Sequence, residues 1–478
     1  MPGRGGHLPV PSPQSPVPSP QSPVPIPRLL LVTYYFPPSG GAGVQRTLKF
    51  AKYLRVAGVE PVVLTVEAGA YPSLDPTLAA DVPDGVEVVR TRALDPFGLY
   101  GALTGRSRRE AVAVGTVGAE SLGQRAGLWA RANVFLPDAR VGWAPFAARA
   151  ARRIVRAGRA DAVLTSGPPH STHLVGLALR RALADRGVPW VADFRDPWTG
   201  INFYDELPMS RPARAFDAAL ERRVLRSADA VVTVSPTWAR ELEAKGGLAP
   251  GAVRVIQNGF DPEDFGGRGG DEAAAPPRPD AFTLVHVGSL YGSRNPEALW
   301  AAVAALRGRG GPQTGGPQTG GAGRLRVRLV GRVDDAVRAS LARHGLADVV
   351  DERGVVTHAE AVAEMAAADL LFLSIEPVAN AAGILTGKLY EYLASGRPVL
   401  ALGPPDGDAA RLLASVGGGR LVHWDDRAAV EGALADAYAA WERGEPPAGA
   451  PADALADLAR PAQARALADL VRALRRGR

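Results

Sequence analysis

The chain has 478 residues, 46% of them hydrophobic and 22% charged, which is too long for one ordinary core and points to two domains plus some unstructured sequence. No apolar run approaches the roughly 18 residues needed to cross a bilayer, which excludes a membrane-spanning helix. The absence of cysteine excludes disulfides, thiolate metal sites and cysteine nucleophiles, and it fits a reducing cytoplasm.

The formal charge of +6 is carried almost wholly by Arg, which suits anionic partners such as diphosphates or lipid phosphates, or reflects the codon bias of a GC-rich genome. No RNP motif, zinc finger or basic heptad region marks nucleic acid as the target, so no nucleic-acid partner is expected. Met1–Pro27 repeats Pro-Val-Pro-Ser-Pro-Gln-Ser without the continuous apolar stretch of a signal peptide and reads as a disordered tail. Arg28–Tyr35 reads as a short buried strand, running through Phe36 into the turn Pro37-Pro38-Ser39-Gly40-Gly41-Ala42-Gly43, with a helix expected over Val44–Ala57. Apolar or β-branched runs at Glu60–Val66, Val86–Arg90, Ala162–Thr165, Trp190–Asp193 and Ala230–Val234 alternate with helix-like stretches, the pattern of a parallel sheet covered on both faces.

A second series begins after the Gly/Ala/Pro-rich stretch from Gly266, with strands expected at Thr283–Val287, Arg326–Val330, Leu370–Ser374 and Val399–Ala401. The expected fold class is α/β, with two doubly wound Rossmann-like domains facing a cleft. They span residues 28–265 and 282–445, joined by a linker over 266–281. A low-complexity insertion occupies 310–323, and a helical segment at 446–478 has the composition to pack back on the first domain. Ligands of open α/β sheets bind outside the carboxyl ends of the strands, so the cleft is the expected active site.

Gly40, Gly41 and Gly43 fall between the first strand and the first helix, where bare N–H groups can approach a phosphate or a sugar hydroxyl, although a tight packing turn accounts for them equally well. In the second half, Thr386-Gly387-Lys388-Leu389-Tyr390-Glu391 opens a short helix that stops at Gly396 before the next strand. Amides at a helix start hold a diphosphate, and a carboxylate one turn later accepts hydrogen bonds from ribose hydroxyls. Lys388, one of four lysines in the chain, adds positive charge there.

Glu391–Val399 resembles the donor motif Glu-Ala-Met-Ala-Ser-Gly-x-Pro-Val of the family 4 retaining glycosyltransferases, which have the GT-B arrangement. Phe36–Gln45 is similar to the glycine-rich opening of that family, Ile256-Gln257-Asn258-Gly259-Phe260-Asp261 to its Pro-Asn-Gly-Val-Asp segment, and Val287-Gly288-Ser289-Leu290 to Arg294 to its Gly-Arg-Leu-x-x-x-Lys. The resemblance runs over about residues 28 to 440. It implies a nucleotide-sugar donor bound to the second domain, an acceptor on the first, retention of configuration, and no metal or cofactor, with surface polysaccharide or glycoconjugate assembly as the setting.

The donor-binding set it implies is Gly288, Ser289, Arg294, Thr386, Gly387, Lys388 and Glu391. Three departures stand out. The family's Glu-x7-Glu places its first glutamate at Gly383; Ser289 replaces the usual Arg, leaving Arg294 and Lys388 to neutralise the diphosphate leaving group; and the expected histidine region reads Asp193-Phe194-Arg195-Asp196-Pro197-Trp198.

On the acceptor side, Ser166-Gly167-Pro168-Pro169-His170-Ser171-Thr172-His173 follows a strand, and His170 there is a polar acceptor contact or a structural cap. The pair His170 and His173 has no third ligand for a metal. Asp193, Arg195 and Asp196 end another strand, with an acceptor-binding or catalytic role set against a structural Arg–Asp network. The catalytic candidates are therefore Arg294, Lys388 and Asp196. Asp406-Gly407-Asp408 has the form of a metal-binding Asp-x-Asp but follows Pro404-Pro405 and reads as a turn.

Arg106, Arg108 and Arg109 near Phe97, Tyr100 and Trp129 form either a solvated surface or a peripheral membrane contact for a lipid-linked acceptor. The rival functions are a sugar-nucleotide epimerase of the same fold and a non-catalytic nucleotide-sugar-binding protein. A nicotinamide enzyme lacks its fingerprint here.

Overall fold

The computed structural model describes residues 26–94, 122–201, 204–266, 281–309, 324–445 and 448–477. Most of the tail, residues 267–280 of the linker, the insertion at 310–323, and Phe97, Tyr100, Arg106, Arg108 and Arg109 lie outside them.

Among the described residues thirteen strands form two separate sheets in which every pairing between them is parallel. The first contains β1 (Arg28–Thr33), β2 (Glu60–Val66), β3 (Glu87–Thr91), β4 (Ala162–Gly167), β5 (Trp190–Phe194), β6 (Ala230–Thr233) and β7 (Val253–Val255), in the order β3-β2-β1-β4-β5-β6-β7. The second contains β8 (Phe282–Val287), β9 (Leu325–Val330), β10 (Val350–Gly354), β11 (Leu370–Ser374), β12 (Val399–Leu402) and β13 (Gly419–Val422), in the order β10-β9-β8-β11-β12-β13. Each order reverses beside its first strand, which opens a crevice at the carboxyl ends of β1 and β4 and again at those of β8 and β11. β7, β10 and β13 were not expected from the sequence.

The helices of the first half are α1 (Ala42–Tyr53), α2 (Leu122–Val134), α3 (Ala144–Arg156), α4 (His173–Ala184), α5 (Arg211–Ser227) and α6 (Pro236–Gly246). Those of the second are α7 (Glu297–Arg309), α8 (Asp335–Arg343), α9 (His358–Ala366), α10 (Gly387–Ala394), α11 (Asp408–Val416), α12 (Arg427–Glu442) and α13 (Arg460–Arg476).

The central strands are mostly apolar because both of their faces are covered. Along β1, Leu30 and Val32 enter a core with Trp143, Val175 and Trp190, while Leu29 and Leu31 enter another with Leu48, Leu467 and Val471. In the second sheet, Leu284 and Phe372 pack with Trp300 and Leu434, and Val285 and Leu371 with Tyr390 and Leu413. Each such Leu or Val stabilises the fold by about 2 kcal/mol relative to exposure.

α13 comes last in the chain but packs on α1 of the first half, where Arg472 donates to the Ala57 carbonyl. The chain therefore crosses between the halves twice, and the crossings are bonded to each other: Arg460 N–H donates to the Phe260 carbonyl at 2.8 Å, and Phe260 N–H to the Leu458 carbonyl at 3.2 Å. Among the described residues no helix is long and apolar enough to cross a membrane.

Candidate active site

The second sheet presents its site where β8 ends and α10 begins. Tyr392, buried on α10, accepts the Val287 N–H at 2.7 Å and so fixes the helix against the strand end. Gly288 follows in a backbone conformation (φ 117°) that favours glycine, and Lys388 explains why no side chain fits there: a Cβ on Gly288 would meet Lys388 Nζ at 2.1 Å. Gly331, at the end of β9, approaches so closely that its own Cβ would lie 2.6 Å from the Gly288 carbonyl carbon. Lys388 thus lies over a strand end pared to backbone.

Burial pulls the Lys388 ammonium down to about 8, with Arg294 adding to the effect and Glu391 opposing it. Arg294 makes an ion pair with Glu376 at 3.3 Å, and its Nε is buried with no partner. Burial raises the Glu391 carboxyl against the pull of His358 and Arg460. Thr386 is the N-cap of α10, yet its side chain makes no capping bond and its buried Oγ1 has no partner. A Cβ on Gly387 would meet nothing within 4 Å, so the helix start faces open space. Ser289 lies beside the buried, neutral ring of His286.

The donor-side candidates are therefore brought together, and a cavity of about 410 Å³ extends from Arg294 past Ser374 and Pro377 to Trp424 and Arg427.

The first-half candidates are more enclosed. Asp193 is 0% exposed and receives a two-pronged bond from Arg46, with Nη2 to Oδ1 at 2.9 Å and Nε to Oδ2 at 3.0 Å, and a third from Ser166 at 2.8 Å. Arg195 donates to the carbonyls of Gly43, Pro168 and Gly167, so it clamps the glycine-rich loop to the loop after β4. Gly40 packs on residues 73–75, where a Cβ would stand 3.0 Å from that of Asp75, and Gly41 (φ 87°) is the N-cap of α1. His170 is buried and stacked on Trp198 at 5.2 Å; burial and the neighbouring His173 keep it neutral. Asp196 is half-buried at the end of β5, with its carboxyl raised by burial, and among the described residues it has no hydrogen-bond partner. The groups of Asp193 and Arg195 are engaged in the fold, whereas Asp196 takes no part in those bonds.

The sequence model of Glycosyltransferase Family 4 matches residues 40–264. The larger part of the first domain therefore carries the sequence pattern of the family 4 glycosyltransferases. Its fold agrees with that of sucrose-phosphate synthase from Thermosynechococcus elongatus, at TM-score 0.61 and 15% identity over 95% of this chain and 100% of that one. It also agrees with a glycosyltransferase from Rickettsia africae, at 0.58 and 13% over 94% and 98%. A third similar structure is Anabaena HepE in complex with UDP, at 0.51 and 15% over 94% and 98%. No curated protein matches the chain in sequence.

The candidate site also has neighbours that the sequence did not single out. Arg46, Lys49 and Tyr53 share one face of α1, and with Lys52 they meet the segment between the domains. Asp261 accepts from Lys49 at 2.6 Å, from Lys52 at 3.0 Å and from Tyr53. Burial alone would raise the Asp261 carboxyl, but these bonds hold it down at about 2.

Three residues on, Asp264 reaches His358 of the second domain at 3.1 Å, and that hydrogen bond raises the imidazole above its ordinary value. Arg460, the first residue of α13, is buried near Glu391 with Nη1 unpartnered. Asp408 begins α11 and closes the domain seam: it accepts from Thr237 N–H at 2.9 Å and from Thr237 Oγ1 at 3.1 Å, serving the exposed start of α6. Among the described residues no three His, Asp or Glu side chains converge as a metal site. The i, i+3 spacing on α1 and the Ile256–Asp261 segment were the signals in the sequence for this cluster; the cross-domain partners left none.

Proposed function

We propose that this glycosyltransferase takes its sugar from a nucleotide-diphosphate sugar seated on the second domain. It delivers that sugar, with retention and without a metal ion, to a glycan, lipid-linked or small-molecule acceptor presented by the first domain. The observation that carries this reading is the placement of Lys388 across Gly288, beside Arg294 and one turn ahead of Glu391.

The ribose hydroxyls donate to Glu391, and the diphosphate lies on the open start of α10. As the anomeric bond breaks, charge grows on the leaving diphosphate, and the fixed cations Lys388 and Arg294 stabilise that state more than the ground state. Arg294 leaves Glu376 to do so. Asp196 is the polar group nearest the entering acceptor. The similar HepE structure holds UDP, which makes uridine nucleotides the first to test.

The test is a thermal-shift screen of UDP, GDP, ADP and their sugars against the wild type and Glu391→Ala. A stabilising nucleotide-sugar whose effect is lost in the variant is expected. Equal shifts in both proteins would show that the site lies elsewhere. Release of nucleotide only when an acceptor is supplied separates transfer from epimerisation.

A further inference from the structure

Position 383 is occupied from the other domain. Trp238, in the first turn of α6 and 5% exposed, leans across the seam onto Gly383, where a Cβ would fall 2.3 Å from both Cδ1 and Nε1 of the indole. No side chain fits there while Trp238 stays, so the glutamate that the Glu-x7-Glu pattern calls for is replaced by an indole edge.

That edge carries an unused donor. The indole N–H groups of Trp143, Trp190, Trp198, Trp300 and Trp424 all reach acceptors, whereas Trp238 Nε1 is buried with none. Three residues before Gly383, Asn380 spans the same seam. Its Nδ2 donates to the Gly200 carbonyl at 2.8 Å, which fixes the amide, and leaves Oδ1 buried without a partner. A donor from the first domain and an acceptor from the second are thus both held at the seam with nothing bound to them.

The direction of the donor site leads to this place. With the ribose at Glu391 and the diphosphate at Thr386–Lys388, the sugar extends past the start of α10 toward the seam, where it meets the edges of Trp238 and Asn380. An indole N–H only donates and an amide oxygen only accepts. The sugar substituent that supplies one of each, on opposite edges of a plane, is an amide. A hydroxyl offers a single polar atom, and a carboxylate would turn an acceptor toward Asn380 Oδ1.

Building on the donor-site reading above, we propose that Trp238 Nε1 and Asn380 Oδ1 recognise the transferred sugar and that this sugar bears an N-acylamino group. Trp238 and Asn380 are specificity residues, contacting the sugar away from the reacting bond.

The experiment is calorimetric titration of the full chain with UDP, UDP-glucose and UDP-N-acetylglucosamine, or with the matching set for whichever nucleotide binds in the screen. Wild type is expected to bind the N-acylamino sugar about tenfold more tightly than its hydroxyl counterpart. Trp238→Phe, which keeps a ring against Gly383 and removes only the N–H, is expected to bring that ratio close to one while affinity for the nucleotide alone is unchanged. As a second variant, Trp238→Ala with Gly383→Glu is expected to restore the carboxylate and shift preference to the hydroxyl sugar. Equal affinity for the two sugars in the wild type, or a preference that survives Trp238→Phe, overturns the proposal. If nucleotide binding depends on Glu391 but shows no amide preference, the recognition pair alone falls; if no nucleotide binds, the donor-site reading falls with it.

Discussion

If a nucleotide diphosphate binds at the proposed site, the Lys388 ammonium gives that binding a pH signature. In the free protein, burial brings its pKa down to about 8, so it is protonated at pH 7 and mostly neutral at pH 9. A diphosphate lying against it favours the charged form and returns the pKa toward or beyond the ordinary lysine value near 10.4. Binding therefore takes up a proton above pH 8 and none below.

The expected dissociation constant is flat up to about pH 7.5 and then rises by about tenfold per pH unit, so affinity falls roughly tenfold between pH 7 and pH 9, equivalent to about 1.4 kcal/mol. The assay is calorimetric titration with a nucleotide-diphosphate sugar, whose two phosphates, each linked by one ester and one anhydride bond, keep no proton that titrates in this range. In Lys388→Arg the guanidinium keeps its charge throughout, so its profile reports any ionisation of the base and serves as the reference. The reasoning is refuted if wild type and Lys388→Arg show the same dependence from pH 7 to pH 9.

Two further predictions concern the buried ion pairs. Asp261→Asn removes the charge that holds Lys49, whose side chain is 4% exposed, and is expected to lower unfolding free energy by about 3 kcal/mol at pH 7. Because the folded carboxyl sits near 2 against about 3.9 when unfolded, this contribution is complete above pH 4 and fades as pH falls toward 2; urea unfolding at a series of pH values should show wild type and variant converging there. Asp193→Ala leaves Arg46 buried without its carboxylate and is expected to cost about 3–5 kcal/mol, read as a large drop in melting temperature. An unchanged melting temperature with lost acceptor use would instead make Asp193 a substrate contact.

The sequence showed the central strands and the edge strand β3 but missed the other three edges, for a reason visible in their side chains. A strand with neighbours on both sides and helices on both faces must be apolar at every position, as Leu29 to Val32 are, and such a run stands out. β10 reads Val-Asp-Glu-Arg-Gly and β13 reads Gly-Arg-Leu-Val, and most of their residues reach solvent. Only pairing with β9 and β12 makes them strands, and pairing is not a local property. The same contrast separates the parts of the site. Thr386 to Pro398 carries its helix start, carboxylate and stop within one short segment, so it could be read directly. Trp238 stands in an ordinary capped helix start behind Ser235. Its meaning comes from Gly383 in the other domain, and neither residue points to the other along the chain.

The unmatched charge around Glu391 also bears on how the two domains act together. Arg294 Nε and Arg460 Nη1 are buried without partners, and burial draws Lys388 to about 8 and Arg460 to about 10. Desolvated cations with unmet donors destabilise a fold, so an anion placed among these three gains their attraction and relieves that destabilisation at once. They come from different parts of the molecule: Arg294 from the loop after β8, Lys388 from α10, and Arg460 from α13, which is packed on α1 of the first domain. A bound diphosphate would therefore draw the first domain, through α13, onto the second, and the seam at Trp238, Asn380 and Asp408 would tighten when the donor is seated, before an acceptor arrives.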